Sequence, residues 1–89
     1  MKHINIKIIG RVQGVGFRRA ARDEARYLGI KGYIRNEPDG SVYLEAEGDE
    51  LAISQFVIWC RKGSVYSYVE EIYYSEGDVM GFSSFESRY

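Results

Sequence analysis

The sequence predicts an α+β sandwich in which one antiparallel sheet is covered on one face by two helices. Two observations carry that expectation. The apolar period changes from two to helical and back twice along the chain, and the two helical stretches are bounded by residues that start and stop helices.

Lys2 to Gly10 places Ile4, Ile6 and Ile8 on one side and Asn5 and Lys7 on the other, the pattern of a half-buried strand. From Phe17 the period becomes helical through Ala20, Ala21, Ala25 and Leu28, with Arg19, Arg22, Asp23 and Arg26 opposite, and Gly29 suits the helix end. Ile30 to Asn36 and Ser41 to Gly48 alternate again. Between them Glu37-Pro38-Asp39-Gly40 is a turn, because Pro presets φ and Gly accepts a positive one. Asp49 can cap a second helix with Ile53, Phe56, Val57 and Cys60 as its buried stripe, flanked by Trp59 and ending at Gly63. Val65 to Tyr74 reads as a strand, although Val69 and Ile72 fall on opposite sides of a strict alternation, which a bulge or an early strand end would reconcile. Gly77-Asp78 suits a turn, and Phe82 to Tyr89 a closing strand. Strand, helix, strand, strand, helix, strand is the split βαβ order of ferredoxin-like sandwiches.

With 89 residues, a single domain spanning 1–89 is expected, and 45% hydrophobic with 15% aromatic content suffices to fill its core without staples. The lone Cys60 rules out an intrachain disulfide and any cysteine-built zinc site, so a reducing, cytoplasmic setting is expected. As part of the helix stripe Cys60 reads as a small buried hydrophobe and not as a nucleophile. The amino-terminal residues alternate in polarity, unlike a signal peptide, and no segment approaches the ~20 apolar residues that span a bilayer. His3, the only histidine, has no clustered ligands and is expected at a surface strand position. Charge is uneven: residues 1–36 hold nine Lys or Arg against two acids, and residues 37–89 three against eleven. Any anion site therefore belongs in the first 36 residues.

That region contains Gly10-Arg11-Val12-Gln13-Gly14-Val15-Gly16-Phe17-Arg18 between the first strand and the first helix. Two glycines flanking one residue let successive N–H groups point inward, and the helix start adds its own unpaired N–H groups and positive dipole end. Arg18 can then set a planar guanidinium against two oxygens of a phosphate. Neither a Walker A loop nor a dinucleotide fingerprint fits, because Phe17-Arg18 stands where Lys-Ser/Thr would be and Arg19 where a third glycine would be.

Gly10 to Arg18 resembles the signature of the acylphosphatase family, and Gly32-Tyr33-Ile34-Arg35-Asn36-Glu37-Pro38-Asp39-Gly40-Ser41-Val42 resembles its second signature, at the expected spacing. The resemblance implies an enzyme that hydrolyses acyl phosphates to a carboxylate and inorganic phosphate, without metal or organic cofactor. It implies that Gln13, Gly14, Val15, Gly16, Phe17 and Arg18 hold the substrate phosphate, that Arg18 and Asn36 are catalytic, and that Asn36 positions the attacking water. The substrate's own phosphate oxygens would accept the proton. Inorganic phosphate is then both product and inhibitor, and a monomer is expected. The chain departs from the family where Gly63-Ser64-Val65 replaces consecutive prolines and Ser67 replaces an alanine, in a loop remote from both signatures.

The chemistry agrees with the residues, since an acyl phosphate is a mixed anhydride whose hydrolysis asks for charge stabilisation and water placement. Two other readings are weaker. A noncatalytic accessory domain of the same family is disfavoured because a chain of this length is expected to carry no fused partner. An RNA-binding sheet using Tyr66, Tyr68, Tyr73 and Tyr74 is disfavoured by Glu70, Glu71, Glu76 and Asp78 around them, so aromatic packing on a sheet face is expected instead, with no nucleic-acid and no membrane partner. Arg11, Arg19 and Arg22 are expected on solvated faces.

Overall fold

The computed structural model describes all residues 1–89. Five strands, β1 (Lys2–Arg11), β2 (Lys31–Asn36), β3 (Val42–Gly48), β4 (Tyr68–Gly77) and β5 (Phe85–Arg88), and two helices, α1 (Phe17–Tyr27) and α2 (Glu50–Lys62), follow one another as β1-α1-β2-β3-α2-β4-β5. The sheet order is β4-β1-β3-β2-β5. Period-two alternation makes this sheet two-faced. Ile4, Ile6 and Ile8 of β1 and Val42, Leu44 and Ala46 of β3 join a cluster of 17 buried residues beneath the helices, together with Phe17, Phe56 and Phe85. Three fully buried Phe side chains each remove roughly 1.5 to 3 kcal/mol worth of apolar surface from water, so the layer between sheet and helices dominates stability.

Both helix ends read from the sequence are present in α2: Asp49 Oδ1 accepts from the N–H of Ala52 at 2.9 Å, and Gly63 ends the helix at φ 79°. Trp59 packs between Phe17 and Phe56, with ring centroids 5.5 and 6.2 Å away. The conflict between Val69 and Ile72 is resolved by a bulge: the β1–β4 register shifts between Ile9 and Gly10, which lets both side chains pack on the core. Gly10 is required there, because its φ is +144° and a Cβ would lie 2.1 Å from the carbonyl oxygen of Tyr68.

β4 starts three residues later than the apolar run suggests. Ser67 Oγ accepts from the N–H of Ser64 at 2.7 Å and donates to its carbonyl at 2.9 Å, closing a turn that occupies the place of the family's prolines. Tyr68, Tyr73 and Tyr74 of the edge strand β4, and Tyr66 in the turn before it, remain more than half exposed and do not pack as expected.

The sandwich agrees with the sequence reading, with one correction to its sheet: β5 runs parallel to β2, so the sheet is mixed. The reason is the route of the chain. After β4 it does not turn back beside its neighbour. Residues 78–84 cross from one edge to the other, beneath the start of β1 and the end of β3, and β5 then runs upward beside β2.

That crossing explains a second correction. His3 is not a surface residue but is 4% exposed, with Nδ1 2.6 Å from Glu47 Oε2 and Nε2 3.1 Å from both Glu45 Oε1 and Asn5 Oδ1. Glu47, 1% exposed, accepts from the backbone N–H groups of Met80, Gly81 and Phe82, and Phe82 stacks on His3. A buried carboxylate on β3 thus clasps the crossing segment. No helix is long and apolar enough to cross a membrane.

Candidate active site

At the opposite end of the sheet, the β1–α1 connection meets the end of β2. Gly14 and Gly16 take positive φ values of 72° and 78°, and Gly16 is the N-cap of α1 with no side chain capping the helix. None of the backbone N–H groups of residues 13–19 donates a hydrogen bond within the protein; the first helical bond is from Ala20 to the carbonyl of Gly16. The unpaired N–H groups thus gather at the positive end of α1. The first turn contains no acid and two arginines, Arg18 and Arg19, which is the unfavourable sign for a helix start by roughly 0.3 to 1 kcal/mol each. An anion bound there reverses that penalty.

The cavity at this point has a volume of about 450 Å³. Gly14, Gly16, Phe17 and Arg18 of the loop line it, facing Asn36 from the end of β2. Gln13 and Val15 do not line it. Gln13 Nε2 donates instead to the carbonyls of Glu37 and Ser41, both at 2.8 Å, and so ties the loop to the β2–β3 turn that follows Asn36. Val15 packs against the core. The turn is rigid in its own right: Ser41 donates through N–H and Oγ to Asp39 Oδ1, and Lys7 pairs with Asp39 at 2.9 Å. The Ser41 hydroxyl above all, and Lys7 with it, hold the Asp39 carboxyl well below the usual carboxylate range. Gln13→Ala removes the donor to two part-buried carbonyls and is expected to cost about 1 to 3 kcal/mol in urea denaturation, with reduced turnover as the loop loses its register to Asn36. Unchanged stability would show that the tie is idle.

Asn36 Oδ1 is buried with no hydrogen-bond partner in the protein. An orphaned acceptor beside a cavity is costly unless it serves a ligand or water. Arg18 is held from the far side: Nη1 donates to the carbonyl of Arg88 at 2.7 Å, and its guanidinium lies 4.9 Å from the ring centre of Tyr89. Ser87 and Tyr89 also line the cavity. Sequence reading missed these last residues, since they reach the site only because β5 runs parallel to β2. Arg19 is exposed and Arg22 half-buried, in keeping with the solvated faces expected of them, and both also line the cavity.

No His, Asp or Glu lines the cavity, and no group of three or more His, Cys, Asp or Glu capable of holding a metal ion occurs in the structure. Cys60 is fully buried, and burial pushes its thiol up, away from nucleophilic use.

This constellation can bind a tetrahedral anion and hold a water against it. Residues 4–87 match the acylphosphatase family model. The chain is 44% identical over 85 residues to an acylphosphatase of Nocardioides sp., covering 96% of this chain and 86% of that one. It is 41% identical over 86 residues to one of Archaeoglobus fulgidus, covering 97% of each. The crystal structure of acylphosphatase from Bacillus subtilis superposes with a TM-score of 0.97 at 38% identity, covering 100% of both chains. The loop with its unpaired N–H groups and the two matched signatures thus sit in a chain that belongs to the acylphosphatase family.

Proposed function

We propose how the residues of this chain divide the work of the acyl phosphate hydrolysis that family membership assigns to it. The N–H groups of the Gln13–Arg18 loop and the Arg18 guanidinium bind the phosphoryl oxygens. Asn36, through its otherwise unpartnered Oδ1, holds a water for attack at phosphorus. The water oxygen bonds to phosphorus as the bond between phosphorus and the acyl oxygen breaks, and the electron pair leaves with the carboxylate. A water proton passes to a phosphoryl oxygen, consistent with a cavity lined by no His, Asp or Glu. Because the leaving carboxylate is a weak base, no protein acid is needed to protonate it. The observation that carries this reading is that Gly14, Gly16, Phe17 and Arg18, whose backbone N–H groups are unpaired within the protein, line one cavity with Asn36, whose Oδ1 is orphaned.

A monomer is sufficient in this reading: one chain supplies the loop, Arg18 and Asn36. A cytoplasmic setting is supported by the single, buried cysteine. Phosphate release from an aryl acyl phosphate tests the proposal. Turnover is expected to survive exhaustive chelation, and inorganic phosphate is expected to inhibit competitively while perturbing the backbone amide resonances of residues 13–18. Turnover lost in chelator and restored by a divalent ion, or amides indifferent to phosphate, would contradict it.

A further inference from the structure

The cavity carries more positive charge than one phosphoryl group engages. Arg18, Arg19 and Arg22 all line it and no Asp or Glu side chain does. Arg18 is committed at the loop, held by the Arg88 carbonyl and the Tyr89 ring. Arg19 makes no ion pair or hydrogen bond through its side chain, and Arg22 reaches only its exposed sequence neighbour Asp23, at 3.3 Å. Residues 18 and 22 are four apart and residues 19 and 22 three apart, so the three guanidinium groups share one side of α1, where like charges repel. Two of them also sit in the first turn, against the helix dipole. Three cations converging on one cavity against both effects imply more than one anionic group in the ligand. A cavity of about 450 Å³ falls in the range of small-molecule sites and leaves room beyond the phosphoryl group.

We propose that Arg19 and Arg22 bind a second anionic group on the acyl side of the substrate, so that acyl phosphates bearing a carboxylate or phosphate on the acyl chain are preferred over those with neutral chains. This rests on the acyl phosphate reading of the site. Arg18 and the loop take the reacting phosphoryl group, and Arg19 and Arg22 act on specificity by pairing with the distal charge.

Butanoyl phosphate and succinyl phosphate test this, because they differ by a terminal methyl against a carboxylate; 3-phosphonooxypropanoyl phosphate presents a phosphate instead. kcat/KM is measured for each at low ionic strength after subtracting enzyme-free hydrolysis. At least one anionic tail is expected to be favoured over butanoyl phosphate by about tenfold, with the preference shrinking as salt rises. In the Arg19→Gln/Arg22→Gln double variant, checked for folding by circular dichroism, the ratio is expected to fall toward one, and Arg19→Lys/Arg22→Lys is expected to restore part of it. Equal kcat/KM for all three substrates in the wild type would overturn the proposal, as would a preference that survives the double substitution, which would show that all three arginines serve the reacting phosphate or solvent. Failure to turn over any of the three acyl phosphates would instead count against the acyl phosphate reading itself.

Discussion

Arg18→Ala is expected to lower kcat/KM for an acyl phosphate by about a hundred- to thousandfold and to abolish competition by inorganic phosphate. The guanidinium is brought to the cavity with a hydrogen bond to the Arg88 carbonyl and lies over the exposed Tyr89 ring. Because it grips the phosphoryl group in both the bound and the transition state, binding and turnover fall together. Asn36→Ala is expected to behave differently. Its loss lowers kcat by a similar factor, about a hundredfold or more, while phosphate still binds with nearly wild-type affinity. The substitution also removes a buried unpartnered oxygen, so the folded state is expected to be no less stable than wild type, which a urea titration checks. Wild-type turnover in a folded Asn36→Ala protein would sink the water-positioning role. Unchanged phosphate competition in Arg18→Ala would sink the anion-gripping role.

Glu47→Ala is expected to cost about 3 to 5 kcal/mol of stability, the scale for removing one partner of a buried, hydrogen-bonded ion pair. Its carboxylate accepts from Met80, Gly81, Phe82 and His3, all of which lose their acceptor at once. The crossing segment that delivers β5 to the edge of the sheet is then held mainly by the Phe82 ring against His3 and Tyr33. A second consequence is pH dependence. Burial alone would lower the His3 value, but hydrogen bonds to Glu47 and Asn5 and the charges of Glu47 and Glu45 outweigh it and raise the imidazole above its ordinary 6.5. Both ring nitrogens face acceptors, which fits an imidazolium. Burial would raise the Glu47 carboxyl, yet the backbone N–H groups of the crossing segment and His3 hold it below its ordinary 4.5.

The signs follow from linkage. A raised His3 stabilises the fold fully below pH 6.5, and that contribution is lost as pH climbs through the folded-state value above it. A lowered Glu47 stabilises above pH 4.5, and that contribution is lost as pH drops through its folded-state value. The contribution of the pair is therefore greatest between those two ordinary values. Urea melts across pH 4 to 9 are expected to show wild-type stability declining on the alkaline side, and a flatter decline in Glu47→Ala. Identical alkaline slopes in the two proteins would contradict the pairing.

What could be read from the sequence is what local chemistry decides. The glycines and Arg18 of the loop, Asn36 at the end of β2, the Asp49 cap and the alternation of β1 and β3 are all set within a few residues of themselves. What could not be read depends on residues 78–84 crossing the sheet. Alternation correctly puts His3 and Glu47 on the face away from the helices, but nothing in a local pattern says that this end of that face is covered. The same crossing sets the direction of β5, and so brings Arg88 and Tyr89 to Arg18 from 70 residues away. Arg19 and Arg22 lie on the polar side of a plainly amphipathic helix, and periodicity cannot separate solvent from a cavity on that side. The place of Gln13 in the loop is legible, but the tie of its side chain to the neighbouring turn is not, because its two acceptors lie 24 and 28 residues away.

Attack of an oriented water at phosphorus is the central claim, and hydrolysis in oxygen-18 water tests it most directly. With the phosphoryl group seated on the loop and Arg18, and the water held by Asn36, one labelled oxygen is expected in each inorganic phosphate released and none in the carboxylate. Label in the carboxylate would place the attack at the acyl carbon and contradict the assignment of this site.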